Sequence, residues 1–214
     1  MTDAKRAIAE LSAADPALGA FIERAGTLDP RPRQGDYFTS LARAIVYQQL
    51  AGRAAAAIYA RLVDAVGGQL TAAAILEAQP EALRAAGLSG SKAAAMLDLA
   101  SHTANGSVPL TALDQLDDED VIARLSTIRG IGRWTAEMFL LFELRRPDVW
   151  PIDDYAVRTG WSMIHSLPEP MAPRELRKQG ESLRPHRSLA ALYCWEAVRL
   201  SRGQMALPAA SQPR

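Results

Sequence analysis

The stretch richest in chemistry runs from Leu125 to Phe139, LSTIRGIGRWTAEMF, where Gly130 and Gly132 flank one apolar residue between two amphipathic helical segments. That spacing predicts a hairpin between helices. Glycine adopts backbone conformations closed to other residues and lets another surface come close. The first N–H groups of the following helix have no intrahelical acceptor, and the helix dipole makes that end attractive to an anion. A phosphate suits it. On the other side of the hairpin, the carbonyls of Ser126, Ile128 and Ile131 are expected to hold a monovalent cation, Na+ or K+, that screens the same phosphate. Taken alone, Gly-X-Gly is an ordinary tight turn between helices. Thiol and metal chemistry have little to work with. Cys194 is the sole cysteine, which excludes an internal disulfide, a zinc ribbon and a four-cysteine iron–sulfur site. His102, His165 and His186 share no ligand spacing, and no metal is assigned to them.

The elements that must hold this hairpin are helical almost throughout, because apolar residues recur at intervals of three and four with few alternating β-branched runs. The periodicity predicts helices over 3–12, 16–25, 37–48, 52–66, 70–76, 79–86, 91–104, 117–127, 132–144, 155–165, 173–182 and 188–202. Turn chemistry separates them, at Asp29-Pro30-Arg31-Pro32, Gly67-Gly68, Gly87–Gly90, Asn105-Gly106, Gly130–Gly132, Pro147 and Pro168–Pro170. The 214 residues are 49% hydrophobic and 22% charged, enough apolar material for a sizeable core and far from the composition of disordered chains. The opening MTDAKRAIAELSAADPALGA is charged, and nowhere do about 18 apolar residues run together, so an intracellular, soluble protein is expected. Only three of the 24 basic residues are lysines, a bias that points to GC-rich coding in a bacterium. Net charge is zero, but residues 1–120 carry 10 basic and 15 acidic side chains, against 14 and 9 in residues 121–214. A polyanion meets the second part first.

The segment LSTIRGIGRWTAEMFLLFELRRPDVWPIDDYAVR resembles the helix-hairpin-helix, Gly/Pro-rich loop and aspartate of the DNA base-excision glycosylases, most closely their alkylated-base (3-methyladenine) branch. LARAIVYQQLAGRAAA, residues 41–56, is similar to that branch's helix and turn entering the minor groove. SLAALYCW, residues 188–195, is similar to the late helix that adds an aromatic wall to the base pocket. The resemblance covers about residues 37–202 and implies an all-α, two-lobed fold in a compact form without an N-terminal β-rich domain. The DNA groove and base pocket are expected between the lobes. Residues 1–49 and 156–202 are expected to form the first lobe and 50–155 the second, with 203–214 a disordered tail.

The resemblance implies hydrolytic release of alkylated purines such as 3-methyladenine or 7-methylguanine from double-stranded DNA. Asp154, at the start of a helical run, is then the catalytic carboxylate; a helix N-terminus favours its charged form. An anion there stabilises oxocarbenium character on the deoxyribose and orients or deprotonates water. Asp153 is the alternative register. Trp134 fills the position where lyase-type relatives carry a nucleophilic lysine, so no Schiff base forms and the product is an uncut abasic site, left to a downstream abasic-site endonuclease. Trp134, Trp195 and Tyr47 are expected to stack on a cationic base. Met138 stands where some relatives have an aromatic, and RPHRS carries a histidine where they often have another aromatic; a flexible thioether broadens preference. Trp150 and Trp161 are read as core.

Extruding a base leaves a gap in the stack. Gln48 and Gln49 are expected to meet the orphan base, and Leu50 or Gln49 to wedge into the minor groove. Backbone contacts are assigned to Arg129, Gly130, Gly132 and Arg133, and less strongly to Ser89, Ser91 and Lys92; Arg187 either supports the catalytic loop or binds phosphate. No cofactor serves catalysis, no membrane is involved, and a cytoplasmic monomer at the bacterial nucleoid is expected. Two other functions fit the same residues: a non-catalytic module recognising damaged DNA, and a glycosylase for deaminated bases.

Overall fold

A computed structural model describes residues 3–28 and 36–203. Among them are twelve α-helices, two short 3-10 segments and no strand. The helices are α1 (Asp3–Ala14), α2 (Pro16–Ala25), α3 (Tyr37–Tyr47), α4 (Gly52–Ala65), α5 (Ala72–Glu77), α6 (Pro80–Ala85), α7 (Gly90–Ala104), α8 (Asp118–Leu125), α9 (Arg133–Phe142), α10 (Tyr155–Ile164), α11 (Pro173–Gln179) and α12 (Arg187–Ser201). Every helix the periodicity predicts is present. The 3-10 segment Leu110–Gln115 is additional: Leu110 and Leu113 are buried on a three-residue spacing too short to show as a periodic run. The turn at 29–32 and the tail from 204 onward lie outside the described residues.

The chain divides into two compact units, Met1–Pro30 with Arg146–Arg214, and Arg31–Arg145. These boundaries differ from the expected 49/50 and 155/156, for reasons of packing. α3 buries Phe38, Leu41, Ala42, Ile45 and Val46 and packs on α4, α7 and α9 of the second unit. Residues 146–154 belong to the first, where the Trp150 ring meets the Trp161 ring edge-on at 5.8 Å and the indole N–H donates to the Leu176 carbonyl at 2.9 Å. Both tryptophans are core, as read from the sequence.

The first unit is organised by α10 on α12. Gly160 makes their approach: a Cβ built there would stand 1.9 Å from the Cys194 carbonyl oxygen. Leu11, Leu18, Val157, Trp161, Leu176, Leu183 and Tyr193 complete its core. Cys194 is fully buried, and burial pushes its thiol well above the ordinary range, which leaves it inert as a nucleophile. In the second unit α5 packs on α7 and α8 on α9. Asp118, Glu119 and Asp120 occupy the first turn of α8, where the helix dipole favours them, so much of the acidic run at 113–120 has a local structural use.

Candidate active site

In the first unit the loop ahead of α10 is clamped to the start of α12. Arg187 donates through Nε and an Nη to the two Asp148 carboxylate oxygens at 2.7 and 2.9 Å, and through the same Nη to the Asp148 carbonyl at 2.8 Å. Arg184 adds a contact to Asp148 at 2.6 Å. The Ser188 hydroxyl donates to the Arg146 carbonyl at 2.6 Å and accepts from the Val149 N–H at 2.9 Å. Arg187 therefore supports the loop. Bidentate geometry of this kind holds a backbone segment more firmly than a lysine could.

That loop delivers Asp154 to the N-cap of α10. One carboxylate oxygen accepts the Val157 N–H at 2.8 Å and the Trp195 indole N–H at 3.0 Å, and the residue is only 8% exposed. Asp153 is exposed. Of the two registers, only Asp154 is a buried carboxylate held from two directions. Trp195, expected as an aromatic wall, also fixes the orientation of this carboxylate.

The hairpin of the second unit is built as its spacing predicts, with one difference between its glycines. Gly130 has φ +79°, and the Ile131 N–H donates to the Ile128 carbonyl at 3.1 Å across the turn; a side chain would be strained there. Gly132 is the N-cap of α9 at φ −99° and ψ 177°, a conformation open to any residue. What its missing side chain provides is open space, because nothing lies within 4 Å of a Cβ built on it. The Arg129 N–H donates to Asp98 at 2.7 Å. The Gly130 and Gly132 N–H groups have no acceptor among the described residues. Two amides at a helix N-terminus are thus left for an anion.

The basic side chains nearby are less available than their types suggest. Arg133 donates to both oxygens of Glu119 and to the buried Glu137 at 3.0 Å, pairings that raise its pKa further. Its charge is thus balanced by two carboxylates of the same unit. Lys92 donates from Nζ to the Val46 and Gln48 carbonyls at 2.7 Å each, and burial pushes its pKa down. Two of its three donors close the C-terminal end of α3, so it positions the turn that follows. Ser89 caps α7 through the Lys92 N–H at 3.3 Å and lies 3.1 Å from the Ser91 hydroxyl. Arg129 keeps an exposed position.

The turn after α3 carries Gln48, Gln49 and Leu50. The Gln48 amide donates to the Gly130 carbonyl at 2.9 Å, which joins this turn to the hairpin. Gln49 is exposed at φ +56°, and Leu50 is 39% exposed. A glutamine in the left-handed region is costly, of order 1–2 kcal/mol, and such strain gathers at functional positions. Both wedge candidates therefore sit at the tip.

Tyr47 and Met138 line one cleft of about 380 Å³ between α3 and α9, together with Arg43, Thr135, Phe142 and Glu143. The Arg43 guanidinium lies 4.3 Å from the Tyr47 ring centroid and 5.5 Å from that of Tyr59. One cation is already stacked on Tyr47. Trp134, on the first turn of α9, is 48% exposed and is not among the cleft's lining residues. Sequence reasoning missed Arg43, although its i,i+4 spacing to Tyr47 on a helix predicts their contact. It also missed Asp148, for which no local signal exists, since Arg187 follows 39 residues later.

Comparison with known proteins converges on one family. The HhH-GPD superfamily base excision DNA repair protein family matches residues 42–185. The chain is 34% identical to DNA-3-methyladenine glycosylase 1 of Schizosaccharomyces pombe over 206 residues, covering 94% of this chain and 90% of that protein. Its structure is similar to the crystal structure of a DNA-3-methyladenine glycosidase from Bacillus halodurans, with TM-score 0.85 and 34% identity over 92% of this chain and 91% of that one. It is also similar to an S. pombe 3-methyladenine DNA glycosylase in complex with abasic DNA, with TM-score 0.78 and 34% identity over 92% of this chain and 97% of that one.

Proposed function

We propose that this chain, which belongs to the HhH-GPD superfamily of base excision DNA repair proteins, hydrolyses the N-glycosidic bond of alkylated purines in duplex DNA. The observation that carries this reading is Asp154: a buried carboxylate at a helix N-cap, oriented by the Val157 and Trp195 N–H groups and presented by a clamped loop. As the bond from C1′ to the base breaks, the pair of electrons leaves with the base and positive charge grows on the deoxyribose. Asp154 opposes that charge and takes a proton from the water whose oxygen bonds to C1′. A purine made cationic by alkylation departs neutral, so no general acid is required. Trp134 provides no amine, which leaves the abasic strand uncut.

The Gly130 and Gly132 amides and Arg129 hold the DNA backbone, and Gln48, Gln49 and Leu50 occupy the gap left by the extruded base. A monovalent cation fits the hairpin by donor chemistry, since neutral carbonyls of Ser126, Ile128 and Ile131 suit Na+ or K+ rather than a transition metal. The Ile128 oxygen that accepts the Ile131 N–H retains a second lone pair. The ion would add positive charge beside the phosphate.

The direct test is incubation of the full chain with methylated duplex DNA. Free 3-methyladenine or 7-methylguanine and an intact abasic strand are expected. Tight binding without release from alkylated, deaminated or oxidised duplexes would favour a recognition module instead. Two variants probe the parts. Trp195→Phe keeps an aromatic face but removes the N–H donated to Asp154. A hydrogen bond to a charged group is worth about 1.5–3 kcal/mol, so single-turnover release is expected to slow roughly 10- to 100-fold. Gln49→Gly relieves the positive φ but adds backbone freedom to the unfolded chain, so stability is expected to stay within about 1 kcal/mol. Release from duplex DNA should still fall, more than release from the same lesion in single-stranded DNA.

A further inference from the structure

The first unit carries a second concave surface that the roles above leave unused. It measures about 510 Å³ and is lined by Ile152, Asp153, Pro173, Arg174, Arg177 and Lys178. Its three cations come from one face of α11, since Arg177 and Lys178 follow Arg174 by three and four residues, about 4.5–6 Å along the axis. All three are exposed. Lys178 is partly balanced by Glu175, at 3.0 Å, whereas Arg174 and Arg177 make no ion pair among the described residues. The helix beneath them is fixed: Leu176 is fully buried, its carbonyl accepts the Trp150 indole N–H at 2.9 Å, and Arg158 Nε donates to the Met171 carbonyl at 2.6 Å just ahead of α11. The fixed helix sets the spacing of these cations, while each long side chain is ordered only on binding an anion.

Which anion follows from what lies next to the concavity. Asp153, on its wall, is bonded directly to Asp154. Resting on the glycosylase reading, the sugar that reacts at Asp154 belongs to a continuous strand, and the phosphates flanking that nucleotide lie within one nucleotide of this carboxylate. We propose that Arg174 and Arg177, with Lys178, bind the phosphates of the lesion strand beside the reacting nucleotide, as a contact separate from the hairpin. The exposed Asp153 carboxylate opposes the same phosphates and weakens the grip, which favours release of the abasic product.

The test is equilibrium binding of the full chain to a duplex with an abasic-site analogue, between 50 and 200 mM salt. Each phosphate contact adds about 0.9 to the slope of log K against log salt, equivalent to roughly tenfold in affinity near 0.1 M. R174Q/R177Q is expected to lower the slope by about 1–2 and affinity by roughly 10- to 100-fold, with an unchanged melting temperature. R174K/R177K should recover most of both, and Asp153→Asn should tighten binding. If the wild type binds with salt dependence and R174Q/R177Q keeps its full slope, this contact is refuted while the glycosylase reading stands. A wild type that shows no salt-dependent binding to DNA overturns both.

Discussion

Replacing Asp154 by asparagine is expected to lower single-turnover base release about 10³-fold while leaving the protein folded and bound to DNA. Asparagine is as good an N-cap as aspartate, so the acceptor for the Val157 N–H at the head of α10 is retained. The same amide oxygen can accept the Trp195 indole N–H, so the local geometry has no reason to collapse. What disappears is the negative charge. Removing a single preorganised electrostatic stabiliser or proton acceptor costs about 10²–10⁴ in rate, and here one group would serve both purposes. Asp153→Asn, one residue earlier and exposed, is expected to shift the rate by no more than about threefold, through its place on the rim of the cationic concavity, less than 1 kcal/mol in barrier. Rates measured with enzyme in excess, beside melting curves and binding isotherms, separate the two. A loss confined to Asp153→Asn would move the catalytic charge to that position; a loss in neither would remove the carboxylate from the mechanism.

Local chemistry in this chain was legible where one stretch of sequence encodes one local structure. The Gly130 turn, the Asp154 N-cap and the helical periods all arise from residues within a turn or two of each other, and each is found where its spacing puts it. What stayed hidden are partners far away in sequence. Nothing beside Arg133 announces that Glu119, 14 residues earlier, takes both arms of its guanidinium. Nothing beside Lys92 announces that its ammonium sits on the Val46 and Gln48 carbonyls, more than 40 residues before it. A basic side chain announces its charge in the sequence but not the group that neutralises it. The unit boundaries shifted for a similar reason. α3 reads equally well as part of either unit from its own periodicity, and only its packing on α7 and α9 decides.

The fold and the candidate catalytic carboxylate meet in Gly160, and Gly160→Ala is expected to damage both. A methyl group there would stand 1.9 Å from the Cys194 carbonyl oxygen, 2.5 Å from its carbonyl carbon and 2.8 Å from its Cα. These are backbone atoms of α12, so no rotamer change can make room. Overpacking a core by one carbon usually costs about 1–3 kcal/mol; with a helix backbone as the obstacle the cost is expected above that range, at roughly 3–5 kcal/mol. For a chain of this size each kcal/mol lowers the melting temperature by about 2–4 °C, so a drop on the order of 10 °C is predicted. Cys194→Ala in the same chain restores nothing, because the colliding atoms are not in its side chain. The consequence for chemistry follows from connectivity. Asp154 caps the first turn of α10 and accepts the indole N–H of Trp195 on α12, so separating the two helices disturbs both donors that aim the carboxylate. Base release by Gly160→Ala should therefore fall even at temperatures where the variant remains folded. A melting temperature within 2 °C of the wild type, with release intact, would show that α10 and α12 can part by the width of a methyl group without cost, and would break the link between this helix contact and the carboxylate.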